Sequence, residues 1–270
     1  MKSITADERM AERRGAKLLI MGPTGIGKTS LLKTIPPAAL DSVLLAEAES
    51  GDLCLQGLPL NMVRIETWED ARNLACRVGG PNPSFLPEMA YSQAHFNAIG
   101  GWWPELEKLK IIFIDSFTEL SRLCFRYCEG SPESVSDRTG RKDLRATYGL
   151  LARELLLFVR QWQQTRPLHI VLIGILENHT DEFRQTTWQL QCEGSKTSRE
   201  LPGIVDEIIT MQFVRFDDDK EPSRAFICDP ANQWGYPAKD RSGRLAPLEP
   251  PDLGQLLSKL TAKPEEVTNA

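Results

Sequence analysis

The 270-residue sequence contains no run of residues apolar enough to span a bilayer, and its opening dozen, MKSITADERMAE, lack the apolar centre of a signal peptide. Membrane contact and secretion are therefore not expected, and the chain reads as a cytoplasmic protein. It also lacks a CxxC pair: the six cysteines, at 54, 76, 124, 128, 192 and 228, show neither zinc-ribbon nor disulfide-framework spacing. Cys124 and Cys128 share a helical face and could hold a metal with Cys192 or a histidine, but buried free thiols are the simpler expectation. Histidine is scarce, three scattered copies in all. There is no surplus of positive charge: a formal net charge of −5 confines any nucleic-acid contact to a local basic patch. No internal repeat is present, so solenoid and array architectures are excluded.

What the chain does have is GPTGIGKTS at residues 22–30, behind the apolar run KLLIM and ahead of TSLLKT, which Pro36 and Pro37 close off. Strand, glycine loop and helix in that order make a phosphate-binding loop. Glycines let successive backbone N–H groups turn inward as an anion nest, and a helix N-terminus behind them adds partial positive charge. Gly22, Pro23, Thr24, Gly25, Ile26, Gly27, Lys28, Thr29 and Ser30 are the expected nucleotide-binding residues. Lys28 would reach the β and γ phosphates, and the Thr29 hydroxyl would ligate Mg²⁺.

Downstream, residues 42–47, SVLLAE, read as a second buried strand, and Glu47 and Glu49 stand at its carboxyl end, the edge of a parallel sheet where ligands bind. A short strand at 61–65 leads to a helix from Thr67 to about residue 78, with a Thr cap and acids in its first turn. Residues 79–103 are rich in Gly and Pro and read as a surface insertion with a short helix near 87–96; Trp102 and Trp103 are expected to pack it back on the core. KIIFIDS at 110–116 has the pattern of a central strand delivering a carboxylate, Asp115, to a metal shell. A helix over 117–129 and a polar loop over 131–145 follow. Leu144, Tyr148, Leu151, Leu155, Phe158 and Trp162 then alternate at helical spacing, which predicts a long amphipathic helix to about 166. Residues 169–174 are another buried strand, opening at Glu177, Asn178 and His179 into a second polar stretch that lasts to about 202. Runs at 206–216 and 224–229, joined over 217–222, predict an antiparallel hairpin, and a short helix near 251–260 precedes a polar tail.

This order of parts resembles the RecA-type recombinase core, and most of all the stripped-down bacteriophage versions, the RecA-like single-strand annealing ATPases of the Sak type. The resemblance covers about residues 17–250, with 1–16 as an arm and 251–270 as a terminal helix and tail. It implies an α/β fold of the RecA-like P-loop NTPase kind: a mostly parallel central sheet flanked by helices, with a C-terminal antiparallel hairpin. It implies ATP and Mg²⁺ as cofactors, held by Lys28, Thr29 and Asp115. Glu49 matches the residue that activates the attacking water; Glu47 lies on the same strand face and stays a candidate. Glu177 or Asn178 fall near the family's polar sensor position. Lys239 and Arg241, in the Lys-x-Arg of AKDRSG, match the pair that reaches into a neighbouring subunit's nucleotide and completes catalysis there. The polar stretches 131–145 and 178–202 fall where the family's two DNA-binding loops sit. Arg138, Arg141, Lys142 and Arg145 are the candidate phosphate contacts and Phe183, Trp188 or Arg184 the candidate base-stacking groups, with the charge diluted by Glu133, Asp137, Asp143, Asp181 and Glu182.

The function so implied is a DNA-dependent, phage-encoded ATPase that binds single-stranded DNA and promotes annealing and recombination. Its partners would be single-stranded DNA, further copies of itself in a ring or filament, and a single-strand-binding protein. A nucleotide switch that organises a protein partner, or a hexameric helicase-type motor, are the alternatives, because P-loop cores serve all three.

Overall fold

The computed structural model describes residues 3–12, 14–136, 138–180, 183–184, 186–215 and 221–262. The expected turn residues 217–220, the tail from 263 onward and the acids Asp137, Asp181 and Glu182 lie outside them.

A short helix, α1 (Ala6–Ala11), sits on a Thr5 capping box and buries none of its residues. It precedes β1 (Lys17–Gly22), in which all six residues are buried. β2 (Val43–Glu47) is equally buried, whereas β3 (Asn61–Arg64) is an open edge strand. After it, α2 (Trp68–Gly79) starts at a Thr67–Asp70 capping box, as its sequence predicts. The insertion carries α3 (Gln93–Ala98); its Trp102 packs edge-on against Phe96, and Trp103 lies under the Arg77 guanidinium. Trp103 packs against the main core and so fastens the insertion, whereas Trp102 is 57% exposed and packs on Phe96 within the insertion itself.

The second half begins with β4 (Ile111–Asp115), α4 (Phe117–Gly130) and the long α5 (Leu144–Gln163). β5 (His169–Thr180) outruns its expected end. It turns back through β6 (Thr186–Leu190), after which comes α6 (Ser195–Ile204). The polar loop expected over 178–202 is therefore a β-hairpin and a helix. Polar residues hid the strand: the outer half of β5, Leu176–Thr180 by register, pairs with β6 beyond the main sheet and needs no apolar face. β7 (Glu207–Val214) and β8 (Ser223–Ile227) form the expected antiparallel pair. β9 (Lys239–Asp240), β10 (Leu248–Glu249) and α7 (Leu253–Thr261) complete the described chain.

Strands β7-β1-β5-β4-β2-β3 run parallel in that order, and β8, β9 and β10 add antiparallel pairings beside β7. The fold is α/β, a mostly parallel sheet flanked by helices with antiparallel strands at the carboxyl-terminal side. Strands buried on both faces alternate between two cores. Leu19, Met21, Ile112, Ile114, Ile170 and Leu172 pack with α2, α4 and α5 through Leu74, Leu120, Leu155 and Phe158. Leu18, Ile20, Phe113, Val171 and Ile173 face the other way, onto Leu31, Leu32 and α7. Cys124 and Cys128 lie within the first core as free thiols.

The amino edge of the sheet is closed by polar side chains. Lys17 is buried, and its ammonium donates to the carbonyls of Gly15, Thr165 and Leu168 at 3.1, 2.8 and 2.7 Å; burial pushes its pKa down to about 8. A Cβ at Gly15 would lie 2.2 Å from the Leu168 carbonyl, so only glycine lets the chain pass there.

Glu207, opposite Asp240 in the β7–β9 register, is almost fully buried, and its carboxylate accepts from the Arg241 and Ser242 amides at 3.1 and 3.2 Å. Burial, reinforced by the Asp240 charge, raises its pKa from 4.5 to about 7. The folded chain thus favours protonated Glu207, a stabilisation complete below pH 4.5 and lost as the pH rises through 7. Glu207→Gln should melt a few degrees above wild type at pH 8.5 and together with it at pH 4. Thermal scans showing the same offset at both values would remove the titration from the explanation.

Candidate functional site

β1 delivers the loop 22–30 to the carboxyl edge of the sheet. Gly22 must be glycine because a Cβ there would stand 2.6 Å from the Met211 carbonyl oxygen of β7. Gly25 and Gly27 take φ of 80° and 98°, a region that side-chain-bearing residues avoid. Ile26, 4% exposed, plugs the loop into the core between them. The helical segment after the loop is a 3-10 helix, Thr29–Thr34, which Ile35 and Pro36 terminate.

Lys28 folds back over the loop. Its ammonium donates to the Gly22 and Pro23 carbonyls at 2.9 and 2.8 Å, and burial lowers its pKa, an effect that the charges of Asp115 and Glu49 oppose. Thr29 points across the sheet edge and donates its hydroxyl to Asp115 at 2.5 Å. β5 lies between the strands that carry these two residues, so the contact spans one intervening strand. Asp115 is 5% exposed, and burial raises its pKa to about 6; the Thr29 hydroxyl and Lys28 act against that rise, and the neighbouring Glu49 and Glu47 charges add to it.

The two glutamates after β2 differ in their surroundings. Glu47 is buried opposite Asp115 in the β2–β4 register, and its carboxylate accepts the Gly51 amide at 2.8 Å, which ties down the loop that follows. Glu49 is exposed and accepts a hydrogen bond from the Ser116 hydroxyl, next in sequence to Asp115. Lys28, Thr29, Asp115 and Glu49 therefore meet at one edge, with Glu47 directly behind them. Glu177, on the projecting part of β5, accepts from Gln189 of β6 at 3.2 Å.

Lys239 and Arg241 lie at the opposite edge of the same chain. Lys239 pairs with Ile208 near the start of β7, and its ammonium donates to the Pro202 and Val205 carbonyls at 2.8 and 2.7 Å, closing the end of α6. Arg241 donates to Asp206 at 3.1 Å and to the Gly203 carbonyl at 3.2 Å. Within one chain, neither residue shares the site of Lys28.

Arg138, Arg141 and Lys142 sit on a small hairpin pinned by the Val135–Lys142 bridge and by the Ser136 amide on the Arg141 carbonyl at 2.9 Å, and Arg145 lies in the first turn of α5. Arg138, Arg141, Lys142 and Arg145 are exposed, and Lys142 pairs loosely with Glu129 at 4.0 Å. Arg184, exposed and at a φ of 61°, belongs to the turn after β5, beside the exposed Phe183. Trp188 instead is half-buried, packed on the Tyr236 ring with centroids 5.1 Å apart.

One residue at this edge escaped the sequence reading. Arg224 of β8 lays its guanidinium on the phosphate loop, 3.4 Å from the Ile26 carbonyl oxygen. No local pattern marks it, because pairing with β7 across the hairpin brings it there.

Among the described residues, no helix is long and apolar enough to cross a membrane. No curated protein matches the chain. A crystal structure of the RadB recombinase aligns over 85% of this chain and 92% of its own, at 11% identity and a TM-score of 0.36. A family profile described as an AAA domain matches residues 14–242, a span that holds the phosphate loop, both glutamates, Asp115 and Arg224. With most of its length inside that match, the chain belongs to the AAA domain family.

Proposed function

We propose that this protein binds and hydrolyses ATP at residues 22–30 and couples the cycle to single-stranded DNA as a self-assembled ATPase. The observation that carries the reading is the hydrogen bond from Thr29 to Asp115, with the Lys28 ammonium and the Glu49 carboxylate beside it. Thr29 and Asp115 would hold Mg²⁺: both offer oxygen to a hard cation, and Asp115 is a buried carboxylate that a cation would relieve. The ion supplies charge that offsets the negative charge of the β and γ phosphates during transfer. The loop amides and Lys28 grip the phosphates, and Glu49 orients a water and takes its proton. Glu49 suits that role because it is exposed and held through the Ser116 hydroxyl, whereas Glu47 already serves the Gly51 amide.

The exposed cations at 138, 141, 142 and 145, with Arg184 on the turn after β5, would supply the local positive charge that an acidic chain needs to meet nucleic-acid phosphates. Assembly gives Lys239 and Arg241 a role in trans, toward the neighbouring copy's nucleotide. Arg241 can leave Asp206, which keeps the Arg14 guanidinium at 2.8 Å and the Lys17 amide at 3.1 Å.

The test is phosphate release from Mg-ATP with and without single-stranded DNA, across a range of protein concentrations and salt. The expected rate rises with single-stranded more than double-stranded DNA, climbs faster than protein concentration, and loses its DNA response steeply with added salt. A DNA-independent rate proportional to protein concentration would end the DNA and assembly parts of the proposal.

A further inference from the structure

Arg224 is a cation placed against the backbone of the phosphate loop. Its guanidinium makes a long hydrogen bond, 3.4 Å, to the Ile26 carbonyl oxygen, and it forms no ion pair among the described residues. The guanidinium nonetheless lies tight on the loop: a Cβ at Gly27 would come within 2.5 Å of its terminal nitrogen. Most of its N–H fork is left over for a ligand, and a planar fork suits phosphate oxygens.

The strand order says which phosphate. Asp115 ends β4 and Glu49 follows β2, both on one flank of β1 across β5, whereas β7 and β8 lie on the other flank. With the γ phosphate turned toward Glu49 and Asp115 for cleavage, the opposite end of the phosphate chain points at the β7–β8 flank. Arg224, registered against Phe213 of β7, stands there.

We infer that Arg224 is a nucleotide-binding residue of this same chain, gripping the α phosphate at the nucleoside end of the site and so serving di- and triphosphates alike. The inference rests on the ATP-binding reading above, and it assigns a cation within the chain that is separate from Lys239 and Arg241. Because Arg224 is exposed and bonds weakly to the protein, its removal should leave the fold intact.

Calorimetric titration of the full chain with Mg-ATP and, separately, Mg-ADP tests it. In Arg224→Ala both affinities should fall by a similar factor, roughly tenfold or more, the size of a lost charge-assisted contact. Arg224→Lys keeps the charge without the fork and should fall between that variant and wild type. Unchanged affinities in Arg224→Ala beside normal wild-type binding would overturn the inference and leave the ATP reading standing. A loss for ATP alone would move the contact to the γ phosphate and overturn it as well. A wild-type chain that takes up neither nucleotide would overturn the ATP reading and this inference with it.

Discussion

Lys28→Ala should abolish nucleotide binding and hydrolysis, the largest loss expected of any single substitution in the chain. The ammonium now rests on the Gly22 and Pro23 carbonyls, in a partly buried position where desolvation weakens its hold on the proton and the Asp115 and Glu49 charges offset part of that loss. An arriving triphosphate would find that cation already in place. Without it, the polyanion meets two loop carbonyls, a buried aspartate and two nearby glutamates, with Arg224 on the other flank of the loop left to oppose them. Interactions between opposite charges in such partly buried surroundings amount to several kcal/mol, so a loss of about a thousandfold or more in kcat/KM is the expected scale. Folding should lose about 1 kcal/mol, since the buried Gly22 carbonyl and the half-buried Pro23 carbonyl lose this donor. Calorimetry with Mg-ATP and a phosphate-release assay check both halves, and thermal melting checks the fold. Hydrolysis that survives in the alanine variant would place the nucleotide elsewhere.

Glu49→Gln should instead keep ATP bound and stop turnover. The amide still accepts the Ser116 hydroxyl and so preserves the local geometry, but it cannot take a proton from water. General-base removal of this kind costs about 10²–10⁴ in kcat. Glu47→Gln is the matched comparison: its amide oxygen can still accept the Gly51 N–H, so the loop stays tied and most activity should remain. The pair of variants, assayed for ATP retention and single-turnover cleavage, separates the two carboxylates. A dead Glu47→Gln beside an active Glu49→Gln would reverse the assignment.

The two glutamates also show how far the sequence could be read. Strand alternation put both on one face, and nothing local could rank them; the difference comes from Gly51 folding back onto one and Ser116 reaching the other. Periodicity located α4, α5, β1, β2, β4 and the inner part of β5 closely, because each buries a regular apolar pattern. It failed over 178–202, where β6 is held by backbone pairing to β5 and shows no apolar alternation. The packing of Trp103 was legible, that of the exposed Trp102 was not, and neither were the surroundings of Trp188, since its partner Tyr236 lies far along the chain.

The phosphate loop, the Asp115 strand, the α/β class and the terminal hairpin were determined by the sequence alone, because each is written in neighbouring residues: glycines where φ must be positive, apolar runs where both faces are covered. Only the tertiary structure decided that Thr29 touches Asp115 across an intervening strand, that Arg224 lies on the loop, and that Lys239 and Arg241 face the far edge. Those are consequences of strand order, and strand order is set by long-range packing that no single stretch of chain encodes.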